Sequence, residues 1–194
     1  MFDYIAELYN EFMIVRSTHE VFSLQSVVAF AYVVALIRSI YRAHFNKELF
    51  TDFLSIAVVC VKYLLTSLLM ERVFVYIAET GNWHSAQNVY LALFAINMLS
   101  MYVAYWLHTH LSFKFGLLFL AVIKLTGIVA VSHLIIWFKF VVLNTQETHE
   151  WLHYIYSVTV LSVSILLAIA MLFPNILRTR FGCIIGLNLP RRQE

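Results

Sequence analysis

The chain has 194 residues, 62% of them hydrophobic, 16% aromatic and 12% charged, with a net charge of +2 and a mean hydropathy of +0.81. Soluble domains carry about 25% charged residues and bury only about 70% of their surface at this size, so a water-soluble fold cannot hide this much apolar surface. The small net charge gives no reason to expect nucleic acid as a partner, and two cysteines, Cys60 and Cys183, with no CxxC exclude a disulfide framework.

Residues 1–20 come first. Met1-Phe2-Asp3 carries no basic n-region and no small-residue cleavage site follows, so the first apolar run is expected to stay in the mature protein. Phe2, Ile5, Tyr9 and Phe12 share one helical face, and Glu7, Asn10 and Glu11 another. This is the pattern of an amphipathic segment lying on the outer surface. It reads first as an anchor packed on the bundle, and second as a plug over a pore. Ser17-Thr18-His19-Glu20 has the spacing of a capping box at the entrance to the first span.

Five apolar runs follow, at about 21–41, 53–75, 87–108, 115–137 and 151–173, each long enough to cross a bilayer. They do not alternate polar and apolar residues as barrel strands do, and backbone groups in lipid must be satisfied within the segment, so they are expected to be helices. The expectation is an all-α integral membrane protein: a five-helix transmembrane domain over 21–175 and a basic cytoplasmic tail over 176–194. The fourth run stays apolar to Leu143 and is expected to tilt or protrude. Gly81-Asn82 separates spans two and three, and Pro174 ends span five. Trp83, Trp106, Trp137 and Trp151 fall near the span ends, as an aromatic belt does.

Charge sets the expected orientation. With the N-terminus outside, the cytoplasmic segments hold Arg38, Arg42, Lys47, Lys114, Arg178, Arg180, Arg191 and Arg192, against Arg16, Arg72 and Lys139 outside. The positive-inside rule therefore favours N-out and C-in. A bacterial inner membrane is the expected location.

Two cations escape this division. Lys62 and Lys124 each lie roughly ten residues, about 15 Å of helix, from the nearest polar flank. That is near the middle of a hydrocarbon core about 30 Å thick. An ammonium there costs about 2.5–3.5 kcal/mol unless it is paired, hydrated or neutral, which marks a candidate functional site. Sliding the chain by 62 positions superposes the two lysines, Phe53 on Phe115, Glu71 on His133 and Asn82 on Asn144. This allows a description as one helix plus two repeated hairpins, with both ammonium groups at one depth across a pseudo-axis. Lys62, Lys124, Glu71 and His133 are the candidate path or anion-binding residues. The competing readings are a structural ion pair and simple snorkelling. Glu71 cannot pair with Lys62 inside one helix, since nine positions put them about 180° apart.

Eight histidines raise two cofactor hypotheses, haem and zinc. Haem needs two imidazoles from different helices at one depth, and most of these histidines lie near span ends, where they read as solvated. His108 and His110 are spaced i,i+2, about 200° apart, which is poor for one metal. His149-Glu150-Trp151-Leu152-His153 has the H-E-x-x-H spacing of zinc proteases. It sits at a span boundary with only Glu147, His84 or His133 as a third ligand, so His149 and His153 are weak metal candidates and neither cofactor is the expectation. No GxSxG, Walker loop or dinucleotide fingerprint occurs, and with five glycines no phosphate-cradling loop is available. Small and polar residues in span three (Asn97, Ser100, Tyr102, Tyr105) and span five (Ser157, Thr159, Ser162, Ser164) read as helix–helix seams.

The leading expectation is a small, self-associating pore or transport protein for ions or small anionic solutes, with the lysines near its path. The alternative is a non-enzymatic membrane subunit, an accessory or immunity-like factor that binds another membrane protein. A b-type cytochrome is third, and a zinc hydrolase fourth.

Overall fold

The computed structural model describes residues 24–45, 50–81, 87–111, 115–145, 150–179 and 182. The expected amphipathic segment, the capping box and most of the basic tail lie outside the described residues. Five helices are long and apolar enough to cross a membrane. They are α1 (Leu24–Phe45), α2 (Phe50–Thr80), α3 (Val89–His110), α4 (Leu117–Trp137) and α5 (Glu150–Leu172). The described residues contain no strand.

The breaks between helices follow local chemistry. Past α2, Gly81 takes φ +65 and its N–H donates to the Ile77 carbonyl at 2.8 Å. A left-handed residue after a helix is usually glycine, because no Cβ collides with the backbone. Beyond Trp137, α4 widens into a π-turn over Phe138–Val142, which accounts for the apolar run reaching Leu143. Asn144 then turns to φ 50, and the Lys139 carbonyl accepts from both the N–H and the hydroxyl of Thr145, at 3.3 and 3.2 Å. Helix α5 stops before Pro174, which opens a short 3-10 helix over Pro174–Arg178.

The helices run up and down as a bundle. One end holds Thr51 and His108, and is called the His108 end here; the other holds Tyr90 and Phe140, the Tyr90 end. Consecutive helices pack antiparallel, and α1 closes the ring by packing on α5 as well as α2. The Tyr32 hydroxyl of α1 donates to the Ser164 carbonyl of α5 at 3.1 Å, and the Cys60 thiol of α2 to the Tyr32 carbonyl at 3.4 Å.

Helix α4 sits innermost, touching α2, α3 and α5. Half of its apolar window is buried, against a third or less for the other four. Its sequence, LLFLAVIKLTGIVAVSHLIIW, is apolar nearly all round, as a helix enclosed by others must be. Alanines mark the close approaches: Ala35, Ala104, Ala121, Ala130 and Ala170 are at most 1% exposed. Small side chains let helix backbones approach and add dispersion contacts, which matter most where lipid offers no hydrophobic contrast.

A leucine at one of these contacts has no space. Ala121→Leu is expected to destabilise the bundle by about 1–3 kcal/mol, read as a lower unfolding temperature in detergent. Ala95→Leu, on the exposed face of α3, is expected to change it little.

Candidate functional site

Most of the buried polar side chains fall in a file of three hydrogen-bonded groups spaced along α2, α3, α4 and α5. It begins at the His108 end. His108 is fully buried. Its Nδ1 lies 2.8 Å from the Ala104 carbonyl, and a carbonyl only accepts, so Nδ1 carries the hydrogen. In the neutral ring Nε2 then accepts from the Thr51 hydroxyl, 2.7 Å away on α2. Ser55, one turn on, lies 3.5 Å from the same nitrogen and donates to the Thr51 carbonyl at 2.9 Å. Phe119 of α4 packs on the imidazole with ring centroids 4.2 Å apart.

The middle of the file is Lys62. Thr51, Ser55 and Lys62 lie on one side of α2, being four and seven positions apart. Lys62 is buried, 9% exposed, and its Nζ donates to Thr126 Oγ1 of α4 at 3.4 Å. Among the described residues this is its one hydrogen bond, and no carboxylate pairs with it. Asn97 of α3 stands at the same depth. Lys62 lies eleven positions beyond Thr51 and Asn97 eleven before His108, so on antiparallel helices tied at Thr51–His108 both are about 16 Å from the tie. Asn97 is 2% exposed; its Nδ2 donates to the Leu93 carbonyl at 2.7 Å, and its Oδ1 accepts nothing from the described residues. A buried amide oxygen without a donor is costly.

The file continues toward the Tyr90 end through His133, two turns past Thr126 on α4. His133 is buried and near enough to Lys62 to interact with it electrostatically. Its Nδ1 is 2.9 Å from Tyr156 Oη of α5, whose hydroxyl donates to it when Nε2 holds the ring hydrogen. Tyr156 in turn packs edge-on against Tyr90, centroids 5.6 Å apart, and near His153 at 6.1 Å. Lys139 is buried here as well, its ammonium 5.0 Å from the Phe140 ring centroid.

The structure brings some of the expected site residues together and separates others. Lys62 and His133 share the file. Lys124 does not face Lys62: Thr126 does, and Lys124 lies two positions earlier, about 200° around α4. Lys124 is half-buried, beside the exposed row of Leu117, Leu120, Val131 and Ile135. The contact register between α2 and α4 is 64 positions. Lys62 meets Thr126, and the position where Gly116 would carry a Cβ is 3.4 Å from Asp52. Glu71 is exposed, farther along α2 toward the Tyr90 end. His149 lies outside the described residues, and His153 is half-buried. Among the described residues no group of three His, Cys, Asp or Glu side chains is placed to hold a metal ion. Of the expected seams, Asn97 and Ser157 are buried, while Tyr102, Tyr105 and Ser162 face outward.

Sequence reading passed over Thr51, Ser55, Thr126 and Tyr156, and it placed two other members of the file at the surface. His108 reads as an interfacial histidine, yet Thr51 and Ser55, spaced i,i+4 where α2 begins, form the hydroxyl pair that receives it. Lys139 reads as an outer surface cation and is buried in the π-turn. Comparison with protein-family models, curated proteins and solved structures finds no match.

Two substitutions separate support from cost. His108→Ala leaves the Thr51 hydroxyl without its acceptor and is expected to cost about 1–3 kcal/mol. That corresponds to roughly 2–12 °C of unfolding temperature in detergent at this chain length. Lys62→Met keeps the volume and removes a buried charge that has no carboxylate partner, so its unfolding temperature is expected to equal or exceed that of the wild type. A fall as large as that of His108→Ala would show that Lys62 holds the fold together.

Proposed function

We propose that the chain is an integral membrane protein, N-terminus outside and C-terminus cytoplasmic, in which the Lys62 file is a path for ions or small anionic solutes. The observation that carries this reading is Lys62 itself, a buried ammonium with no carboxylate partner among the described residues. Below it in the file stand Thr51, Ser55 and His108, and above it His133 and Tyr156. Intramembrane ionisable groups that face a bundle interior are expensive, and ion pathways and proton relays are where they are kept.

The membrane setting is supported by the exterior. Large apolar side chains stand on the outside of several helices, Phe30 at 70% and Tyr102 at 64% exposed among them. Lipid is the solvent that favours such a surface. The orientation is supported by Arg38, Arg42 and Arg178, which cluster at the His108 end.

The path would run within one chain, past three hydrogen-bonded groups set about two helical turns apart: Thr51 and Ser55 with His108, Lys62 with Thr126, and His133 with Tyr156. The close spacings of 2.7–3.4 Å within these groups suit a proton or a dehydrated anion held at Lys62 better than a wide, water-filled pore. The placement of Lys124 favours a second reading: beside an exposed apolar row of α4, it suits an intramembrane contact with a second copy or another membrane protein.

Flux into proteoliposomes tests both. Proton and chloride movement are followed with entrapped dyes under an imposed gradient. The wild type is expected to conduct one of the two, Lys62→Met to lose at least about tenfold, and Lys124→Met to retain it. A silent wild type in well-inserted vesicles, with Lys124→Met breaking a co-purified complex, would replace the path with the subunit reading.

A further inference from the structure

A cavity of about 360 Å³ opens at the His108 end, between the last turns of α1 and the end of α5. Arg38, Tyr41 and Arg42 line one wall, and Leu172, Phe173 and Asn175 the other. None of these residues belongs to the Lys62 file.

The two arginines are one helical turn apart on α1, so both guanidinium groups reach the same side. Arg38 is held against an aromatic ring. Its Cζ lies 5.4 Å from the centroid of the Phe173 ring, and among the described residues no carboxylate pairs with it. A guanidinium stacked on a ring keeps its N–H edge available. Arg42 also lines a smaller adjoining cavity with Ser39 and Asp52; Asp52 is not among the residues that line the larger one. Tyr41 and Asn175 add a hydroxyl and an amide as further donors.

We infer that this cavity binds a phosphate-bearing anion, its oxygens held by the guanidinium forks of Arg38 and Arg42. The planar fork matches two oxygens of a phosphate at once. The volume lies in the range of sites that enclose small ligands, about 300–1,000 Å³. Ile37 and Ile40, 62% and 51% exposed beside the arginines on α1, offer an apolar surface to acyl chains. In the orientation proposed above the site faces the cytoplasmic leaflet, where basic pockets between spans meet anionic headgroups. The inference rests on the membrane reading for that source of phosphate, whereas free phosphate would reach the same forks from water.

The test uses the full chain purified in dodecyl maltoside. Binding of dioctanoylphosphatidylglycerol, dioctanoylphosphatidylcholine and inorganic phosphate is followed by native mass spectrometry and by the shift in unfolding temperature. The wild type is expected to bind the phosphatidylglycerol at least about tenfold more tightly than the phosphatidylcholine. Arg38→Gln is expected to remove that preference, Arg38→Lys to keep part of it, and Phe173→Leu to weaken it several-fold. Displacement by millimolar phosphate would identify the phosphate group alone as the ligand; retention of the lipid against it would identify the headgroup with its chains. Equal binding of the two lipids together with no phosphate binding overturns the site, as does an Arg38→Gln variant that binds like the wild type. Lys62→Met is expected to bind as the wild type does, and extraction of cell membranes with alkaline carbonate reports on insertion separately. A chain that resists extraction and does not bind would sink this site and leave the membrane reading standing.

Discussion

The closure of His108 onto Thr51 and Ser55 sets how α2 lies against α3, and the depth of the polar groups on both helices follows from it. With that tie made, eleven residues along each helix bring Lys62 and Asn97 level. The tie itself stays dry. His108 has no exposed surface, Phe119 covers its ring, and both of its nitrogens have partners. A buried hydrogen bond in low dielectric is strong when satisfied and costly when broken. It therefore acts as a register mark on the hairpin, since a slip of one turn would part His108 from Thr51.

Helix α4 then determines what the interior contains. It is enclosed on three sides, so its two polar positions toward the file, Thr126 and His133, must find partners on other helices. They do so on α2 and on α5. Alanines hold the rest of the contacts close, and the apolar seams and the polar file divide the labour. The seams supply packing, while the file supplies groups that bind hydrogen or charge and add little net stability.

The helices were largely legible in the sequence, because length, hydropathy and the absence of alternation are strong signals in a chain this apolar. The stops at Gly81 and Pro174 were legible too, since each rests on the conformational limits of a single residue. The relative standing of Lys62 and Lys124 was not. Both sit mid-run, and α4 is so uniformly apolar that no face of it declares itself inward. Only the contact of Lys62 with Thr126 decides which lysine is interior. His108 was illegible for another reason. Its burial depends on a hydroxyl pair 53 to 57 positions away, and no local pattern reports that.

The ring closes between the first and last helices, and this has a consequence for the order of synthesis. Tyr32 donates to a carbonyl 132 positions later in the chain. At about 5–20 residues per second, ribosomes need roughly 7–26 s to make that interval. Throughout it, the face of α1 that carries Val28, Tyr32, Ala35 and Ser39 lacks α5, one of the two described helices on which α1 packs most. The nascent protein must keep this face from other apolar helices until α5 emerges. The last-made span is thus the one that completes the burial of the first.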